Sequence, residues 1–271
     1  LVHQEGQQDD PERLRRSRLR APEAQVVERG GVVPASPEGG ILGGEEPAVA
    51  RADCRRGAER AERPPRDAQG TRVETVRIPS RTRSTICVSS QAGCTRHCTF
   101  CATQTLGFSR QLTAAEMVAQ FFLARLEAPS EAPARNVVFM GMGEPMDNLD
   151  EVLRAVTVLT QSPAPQLRAE QITVSTSGVV PGLRRFLKES KASLALSLNA
   201  TTDAVRTQLM PQTRQYPIEA LLEVLREEAL VHPRREHFIE YVLFQGVNDT
   251  PADADRLVRL MEGIPSRINL I

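Results

Sequence analysis

Apolar positions are scattered without period over residues 1–70 and fall into regular blocks from about residue 71 onward. Residues 85–90 (TICVSS) read as a short strand, and a helix is predicted over 113–127. Thr113 is placed to cap that helix, with Glu116 three positions later completing a capping box. Residues 136–140 (NVVFM) form a near-continuous apolar strand closed by a Gly-Met-Gly-Glu-Pro turn, after which Leu149, Val152, Leu153, Val156 and Leu159 recur at helical spacing. The cycle then repeats: strand 172–176, helix 182–188, strand 193–198 and helical segments to about Leu230. A strand over 238–244, a helix over 252–262 and a strand over 267–271 close it. Six strands, each but the last followed by a helix, imply a parallel sheet covered by helices. Right-handed crossovers leave an open doubly wound sheet or a barrel, and periodicity does not separate them. Either way, chemistry gathers at the C-terminal ends of the strands.

Composition narrows the function classes. The chain is 40% hydrophobic and 25% charged, ordinary for a soluble globular protein. Thirty-four basic residues balance thirty-four acidic ones, so no global field draws it to nucleic acid or membrane. Any RNA contact must come from a local patch. Between Thr71 and Arg110 six arginines (Arg72, Arg77, Arg81, Arg83, Arg96 and Arg110) stand against the single acid Glu74, and they flank a Cys-rich loop. A solvated Arg-rich surface is the alternative reading of them. No apolar run approaches the ~20 residues of a bilayer span, so no membrane is expected. Five Cys, three of them within eight positions, do not resemble a secreted disulfide framework and point to a reducing, cytoplasmic setting with a metal or redox role.

Residues 1–70 contain no aromatic residue and no Lys, but twelve Arg, nine Gly and seven Pro. Such a low-complexity segment buries too little apolar surface to offset its chain entropy and is expected to be disordered. It reads either as a native linker or as a non-native, frame-shifted stretch. Leu1 in place of Met, and Ile271 inside a predicted strand, suggest a fragment. The expected organisation is therefore 1–70 as that segment and 71–271 as the folded core.

Candidate chemistry begins with Cys94-Thr-Arg-His-Cys98-Thr-Phe-Cys101, on the loop after the first strand. Three thiolates from one short loop suit three corners of a cubane iron–sulfur cluster and leave a fourth iron open. A zinc site using His97 and chance clustering are the alternatives. Gly141-Met142-Gly143-Glu144-Pro145 ends the second strand, where glycines let a ligand approach the backbone and Glu144 can accept from an ammonium group. Ser175-Thr176-Ser177-Gly178 and Ser197-Leu198-Asn199 end the next two strands. Each polar end is either a helix cap or part of a binding site. Together, three successive polar strand ends look like a mouth for a polar cofactor.

With Phe100 before its third Cys, this loop resembles the radical S-adenosylmethionine superfamily. The string Cys87-Val-Ser-Ser-Gln-Ala-Gly-Cys94, with GMGEP, STSGVVP, LSLNA and RINLI, resembles a narrower family over about residues 72–271. That family is the RlmN/Cfr-type rRNA adenine methyltransferases, and the match is closest to its RlmN branch. The resemblance implies an α/β fold, a partial (β/α)6 TIM-like barrel. It implies a [4Fe-4S] cluster on Cys94, Cys98 and Cys101, with S-adenosyl-L-methionine on the open iron and on Gly143, Glu144, Ser175, Ser197, Leu198 and Asn199.

The activity so implied is methylation of C2 of an adenosine in 23S rRNA and also in tRNA, with an electron donor such as flavodoxin and a monomeric state. Methylation at C8, or an inactive cluster- or RNA-binding fragment, is the alternative. In the family a Cys near the C-terminus carries the methyl group, which becomes a radical and adds to the ring carbon. Glu74 aligns with the proton-abstracting Glu, and Cys87 with the thiol that releases the product by forming a disulfide with the carrier. Read from the residues alone, Glu74 is a surface charge on an edge strand and Cys87 a small buried residue. An aromatic C–H offers an ordinary base nothing to work on, so a radical cofactor suits the task. The carrier Cys has no counterpart in this sequence, nor is the family's helical RNA-binding domain recognisable in residues 1–70. The chain is therefore expected to bind cofactors without completing methylation.

Overall fold

A computed structural model describes residues 59–60, 73–161, 163 and 166–271. The segment 1–70 expected to be disordered or non-native, and Cys54 within it, lie outside the described residues, apart from Glu59–Arg60. Those two residues form a short strand, β1, paired antiparallel with β2 (Val76–Pro79). In turn β2 runs antiparallel to β3 (Ser84–Cys87), which places Val76 opposite Cys87. A separate antiparallel ribbon, β4 (Gln91–Gly93) with β5 (Phe108–Gln111), brackets the Cys-rich loop.

Helix α1 (Ala114–Leu126) follows. Thr113 and Glu116 form the capping box that the sequence predicts, each side chain satisfying the other residue's backbone N–H. Strands and helices then alternate: β6 (Ala134–Phe139), α2 (Leu149–Gln161), β7 (Ile172–Thr176), α3 (Val180–Glu189) and β8 (Ser193–Ser197). Two helices, α4 (Asp203–Leu209) and α5 (Ile218–Val231), precede β9 (His237–Tyr241), and α6 (Pro251–Leu260) precedes β10 (Ser266–Leu270).

The order in the sheet is β1-β2-β3-β6-β7-β8-β9-β10, and the last six strands are mutually parallel. A doubly wound sheet reverses its strand order partway. Here space follows chain order throughout, as in a barrel, and among the described residues β10 does not close on the far edge. This is the partial (β/α)6 barrel expected. Its central strands are apolar on both faces because both faces are covered, while the edge strand β10 is largely exposed. Ile86, Val137, Ile172, Val174, Leu194, Leu196 and Ile239 are buried together with Phe121, Val152, Leu183 and Leu221 from the helices. Full burial of each such side chain contributes about 1.5–3 kcal/mol.

Two predicted strands are shorter than expected. The first stops at Cys87, since Ser89 and Gln120 bond each other instead of a neighbouring strand: Ser89 N–H donates to the Gln120 side chain, whose amide donates back to the Ser89 carbonyl. The fifth stops at Tyr241. There the Val242 N–H donates to Asn199 Oδ1 and the Phe244 N–H to Asn248 Oδ1 in place of β8, while on the other side the Leu243 N–H still donates to the Ile271 carbonyl.

Candidate active site

The C-terminal ends of the parallel strands surround a cavity of about 280 Å³. Cys94, Cys98, Cys101, Gly143, Glu144, Ser175, Ser197 and Asn199 all line it, so eight residues singled out in the sequence meet at one mouth. Leu198 does not reach it and is fully buried. Glu74 and Cys87 stand off the cavity wall beside one another. Cys87 ends β3, and Glu74 lies two residues before Val76, its partner across the ladder. Burial pushes the Cys87 thiol up to about 11; the Met140 backbone bond opposes this, and the Glu74 charge adds to it. Met140 itself lines the cavity. A second cavity, of about 830 Å³, lies where the chain enters β7 and β8 and holds none of these residues.

The Cys-rich loop is held from two sides. Gln91 Oε1 accepts from the backbone N–H of Glu144 at 3.0 Å and of Thr95 at 3.2 Å, tying the loop to the turn after β6. Asp147 accepts from Thr95 Oγ1 and pairs with Arg96. On the other side the Thr99 N–H donates to the Leu209 carbonyl at 2.9 Å, docking the loop on the end of α4. Gly143 is required where it stands: its φ is +103°, and an added Cβ would lie 2.5 Å from Gln91 Cβ.

The three thiols fit an iron–sulfur cluster. Burial is the main cause that pushes Cys98 up to about 12, with added repulsion from Cys101, Cys94 and Glu144 and an opposing bond from Gln212. Cys94 is raised for the same leading reason, partly offset by the Arg96 backbone N–H. Thiols that resist ionisation in one another's company ionise readily once a cationic centre binds them. Among the described residues no three His, Cys, Asp or Glu gather about a single point as one ion requires. A cubane takes each thiolate on a different iron. His97, the alternative fourth ligand for zinc, is exposed and does not line the cavity.

Glu144 is buried, and its carboxylate accepts four hydrogen bonds: from Met146 N–H, Thr176 Oγ1, Ser177 N–H and Ser177 Oγ. Burial holds its carboxyl above the usual carboxylate range against those donors. The hydroxyls after β7 are therefore not helix caps. Val179 caps α3 without a side-chain bond, and Thr202 caps α4 in place of Asn199. Asn199 has a left-handed backbone (φ +57°), is locked by Asn248 Nδ2 donating to its carbonyl at 2.8 Å, and lines the cavity.

Arg206 and Gln212 belong to the same wall and are not singled out in the sequence. Arg206 donates to the carbonyls of Ser177, Ser197 and Leu198, and Gln212 donates to the Ser177 carbonyl. The one available signal was that Arg206 stands three residues before Leu209, on the buried side of α4.

The Arg-rich stretch expected to flank the cluster loop is arranged differently. Arg96 and Arg110 are ion-paired with Asp147 and Glu116, and Arg77 is buried. Arg81 and Arg83 are exposed but precede β3, at the end of the sheet away from the loop. Arg72 lies outside the described residues.

The chain is 48% identical over 202 residues to the dual-specificity RNA methyltransferase RlmN of Geobacter sulfurreducens, covering 74% of this chain and 55% of that one. It is 46% identical over 202 residues to the RlmN of Syntrophobacter fumaroxidans, covering 74% and 59%. It thus spans a little over half the length of these relatives. Among solved structures, a radical SAM methyltransferase from Sphaerobacter thermophilus is similar at a TM-score of 0.72 and 42% identity, covering 76% of this chain and 60% of that one. The family model for the radical SAM superfamily matches residues 88–258, from the end of β3 into α6, and the chain belongs to that superfamily.

Proposed function

We propose that this chain is the cofactor-binding barrel of an RNA methyltransferase that modifies C2 of an adenosine in 23S rRNA and in tRNA. The observation that carries this reading is the convergence of three Cys and three polar strand ends on one cavity, in a chain 48% identical to a dual-specificity RNA methyltransferase. The superfamily's [4Fe-4S] cluster and S-adenosyl-L-methionine supply radical chemistry able to attack an unactivated C–H.

The chain's own residues do the rest. Cys94, Cys98 and Cys101 hold the cluster. Gly143 admits the cofactor against the backbone, Ser175, Ser197 and Asn199 bind its polar groups, and Leu198 backs the site. Glu144 fixes Thr176 and Ser177 and presents negative charge to an ammonium group. Glu74 takes the single proton that must leave the ring carbon. Cys87, whose thiol burial pushes up to about 11, is the residue that frees the product: its sulfur gives up its proton and forms a disulfide with the methyl-carrying Cys as that carrier's S–CH2 bond breaks, and the released carbon takes the electron pair and a proton. No Cys follows Cys101 in this sequence, so the 271 residues bind cofactors without transferring the methyl group. An electron donor such as flavodoxin, a monomeric state and a cytoplasmic setting belong to the same reading. Among the described residues no helix is long and apolar enough to cross a membrane.

The test is a chimera in which this barrel is flanked by the corresponding segments of the Geobacter sulfurreducens relative. Reconstituted and supplied with reductant, it should install 2-methyladenosine in 23S rRNA fragments and tRNA, identified by mass spectrometry against standards, while the chain alone installs none. Finding 8-methyladenosine would move the assignment to C8. Cofactor cleavage with no methylated adenosine in either RNA would overturn it.

A further inference from the structure

Arg206 is fully buried in α4, yet every group that its guanidinium bonds among the described residues is neutral. Nε donates to the Leu198 carbonyl at 3.0 Å, and Nη2 to the carbonyls of Ser177 at 2.6 Å and Ser197 at 3.0 Å. Nη1 donates to Thr213 Oγ1 at 2.8 Å. Burial lowers its pKa to about 10, so it is charged at neutral pH. A buried charge without a counter-ion is strongly unfavourable. Tying carbonyls together does not require a cation, because a neutral amide donor forms the same kind of bond. The charge therefore needs its own reason.

The acidic groups within its field are the Cys98 thiol first, which is negative only once it is ionised, then Asp203 and Glu144. The same helix ends on the carbonyls that hold Thr99, the residue next to Cys98. The Thr99 N–H donates to Leu209, and its hydroxyl to Gln208 and Leu209. Gln212 bridges the two, donating to the Ser177 carbonyl at 3.2 Å and bonding the Cys98 sulfur. Arg206 is thus linked to the thiol set by hydrogen bonds: the Ser177 carbonyl accepts from both Arg206 and Gln212, and Gln212 bonds Cys98. A [4Fe-4S] core in its oxidised state on three thiolates carries net negative charge, and reduction adds one more electron.

We propose that Arg206 is the built-in counter-cation of this centre, a positioning residue whose charge raises the midpoint potential of a cluster held by Cys94, Cys98 and Cys101. This rests on the cluster reading above. Cluster loading is therefore measured first on the unaltered chain by iron and sulfide content, and failure there sinks that reading and not this one.

The test is an EPR-monitored redox titration of the anaerobically reconstituted chain beside Arg206→Gln and Arg206→Lys. Arg206→Gln keeps an amide donor and loses the charge. At a fixed poise near the midpoint its ratio of reduced to oxidised cluster should fall at least tenfold, which is 59 mV for a one-electron couple. Arg206→Lys should recover most of that shift at neutral pH. Its buried ammonium also deprotonates more easily than a guanidinium, so between pH 7 and about 9 its potential should fall while that of the unaltered chain stays level. This second arm decides the matter if Arg206→Gln does not load a cluster. Equal potentials for Arg206→Gln and the unaltered chain at equal iron content would overturn the proposal. So would an Arg206→Lys potential that tracks the unaltered chain at every pH.

Discussion

Glu144 and Arg206 carry opposite charges into one wall of the barrel mouth, and Ser177 serves both: its N–H and hydroxyl go to Glu144, its carbonyl to Arg206. Glu144 was legible because it follows two glycines at a strand end. Arg206 was not, because three of its four partners are main-chain carbonyls at the ends of β7 and β8, which no side-chain pattern marks. The Arg-rich stretch misled for a related reason, since Asp147, which neutralises Arg96, lies 51 residues along the chain. A third buried titratable group sits away from the mouth. His237 is 1% exposed, neither ring nitrogen has a partner among the described residues, and burial, with help from the Arg235 charge, lowers its pKa to about 4. The unfolded imidazole protonates near pH 6.5, so between about pH 6.5 and 4 the unfolded state binds more protons. Stability is full above that window and declines as pH falls through it, by at most roughly 3 kcal/mol. Urea titrations of the chain and of His237→Phe across pH 7 to 4.5 check this: the variant should lose the component of the decline that the parent shows between pH 6.5 and 5. Parallel declines would refute it.

At the scale of elements, apolar content carried the reading. The six parallel strands and their helices were found because strands buried on both faces leave nearly continuous apolar runs. The antiparallel pieces were missed: β2, β4 and β5 are three or four residues long, and runs such as VRIP and FSRQ are too mixed and too short to show a period. Yet the ribbon of β4 and β5 is what presents the Cys-rich loop. Local cap chemistry was legible, since a capping box needs only four consecutive residues. Thr113→Ala should therefore destabilise the chain by about 1 kcal/mol, measured as a lower denaturation midpoint at unchanged slope. Thr113→Ser should recover most of the loss. No change in the alanine variant would show that α1 is held by its packing alone.

For the whole molecule, the choice that periodicity left open, barrel or doubly wound sheet, is settled by strand order. A sheet that follows the chain without reversal turns every strand end toward one side, and those ends supply the cavity. The overall charge balance gave no hint of an RNA partner, and the exposed Arg81 and Arg83 lie away from the mouth. The proposed chemistry thus rests on the Cys set. Its most direct measurement is the iron and acid-labile sulfide content of the anaerobically reconstituted chain, with its absorbance and its EPR signal before and after adding S-adenosyl-L-methionine. About four irons and four sulfides per chain, brown absorbance, a signal altered by the cofactor, and loss of all of these in the triple variant Cys94→Ala, Cys98→Ala, Cys101→Ala are predicted. A chain that takes up zinc in place of iron, or that holds as much iron without those three Cys, would contradict it.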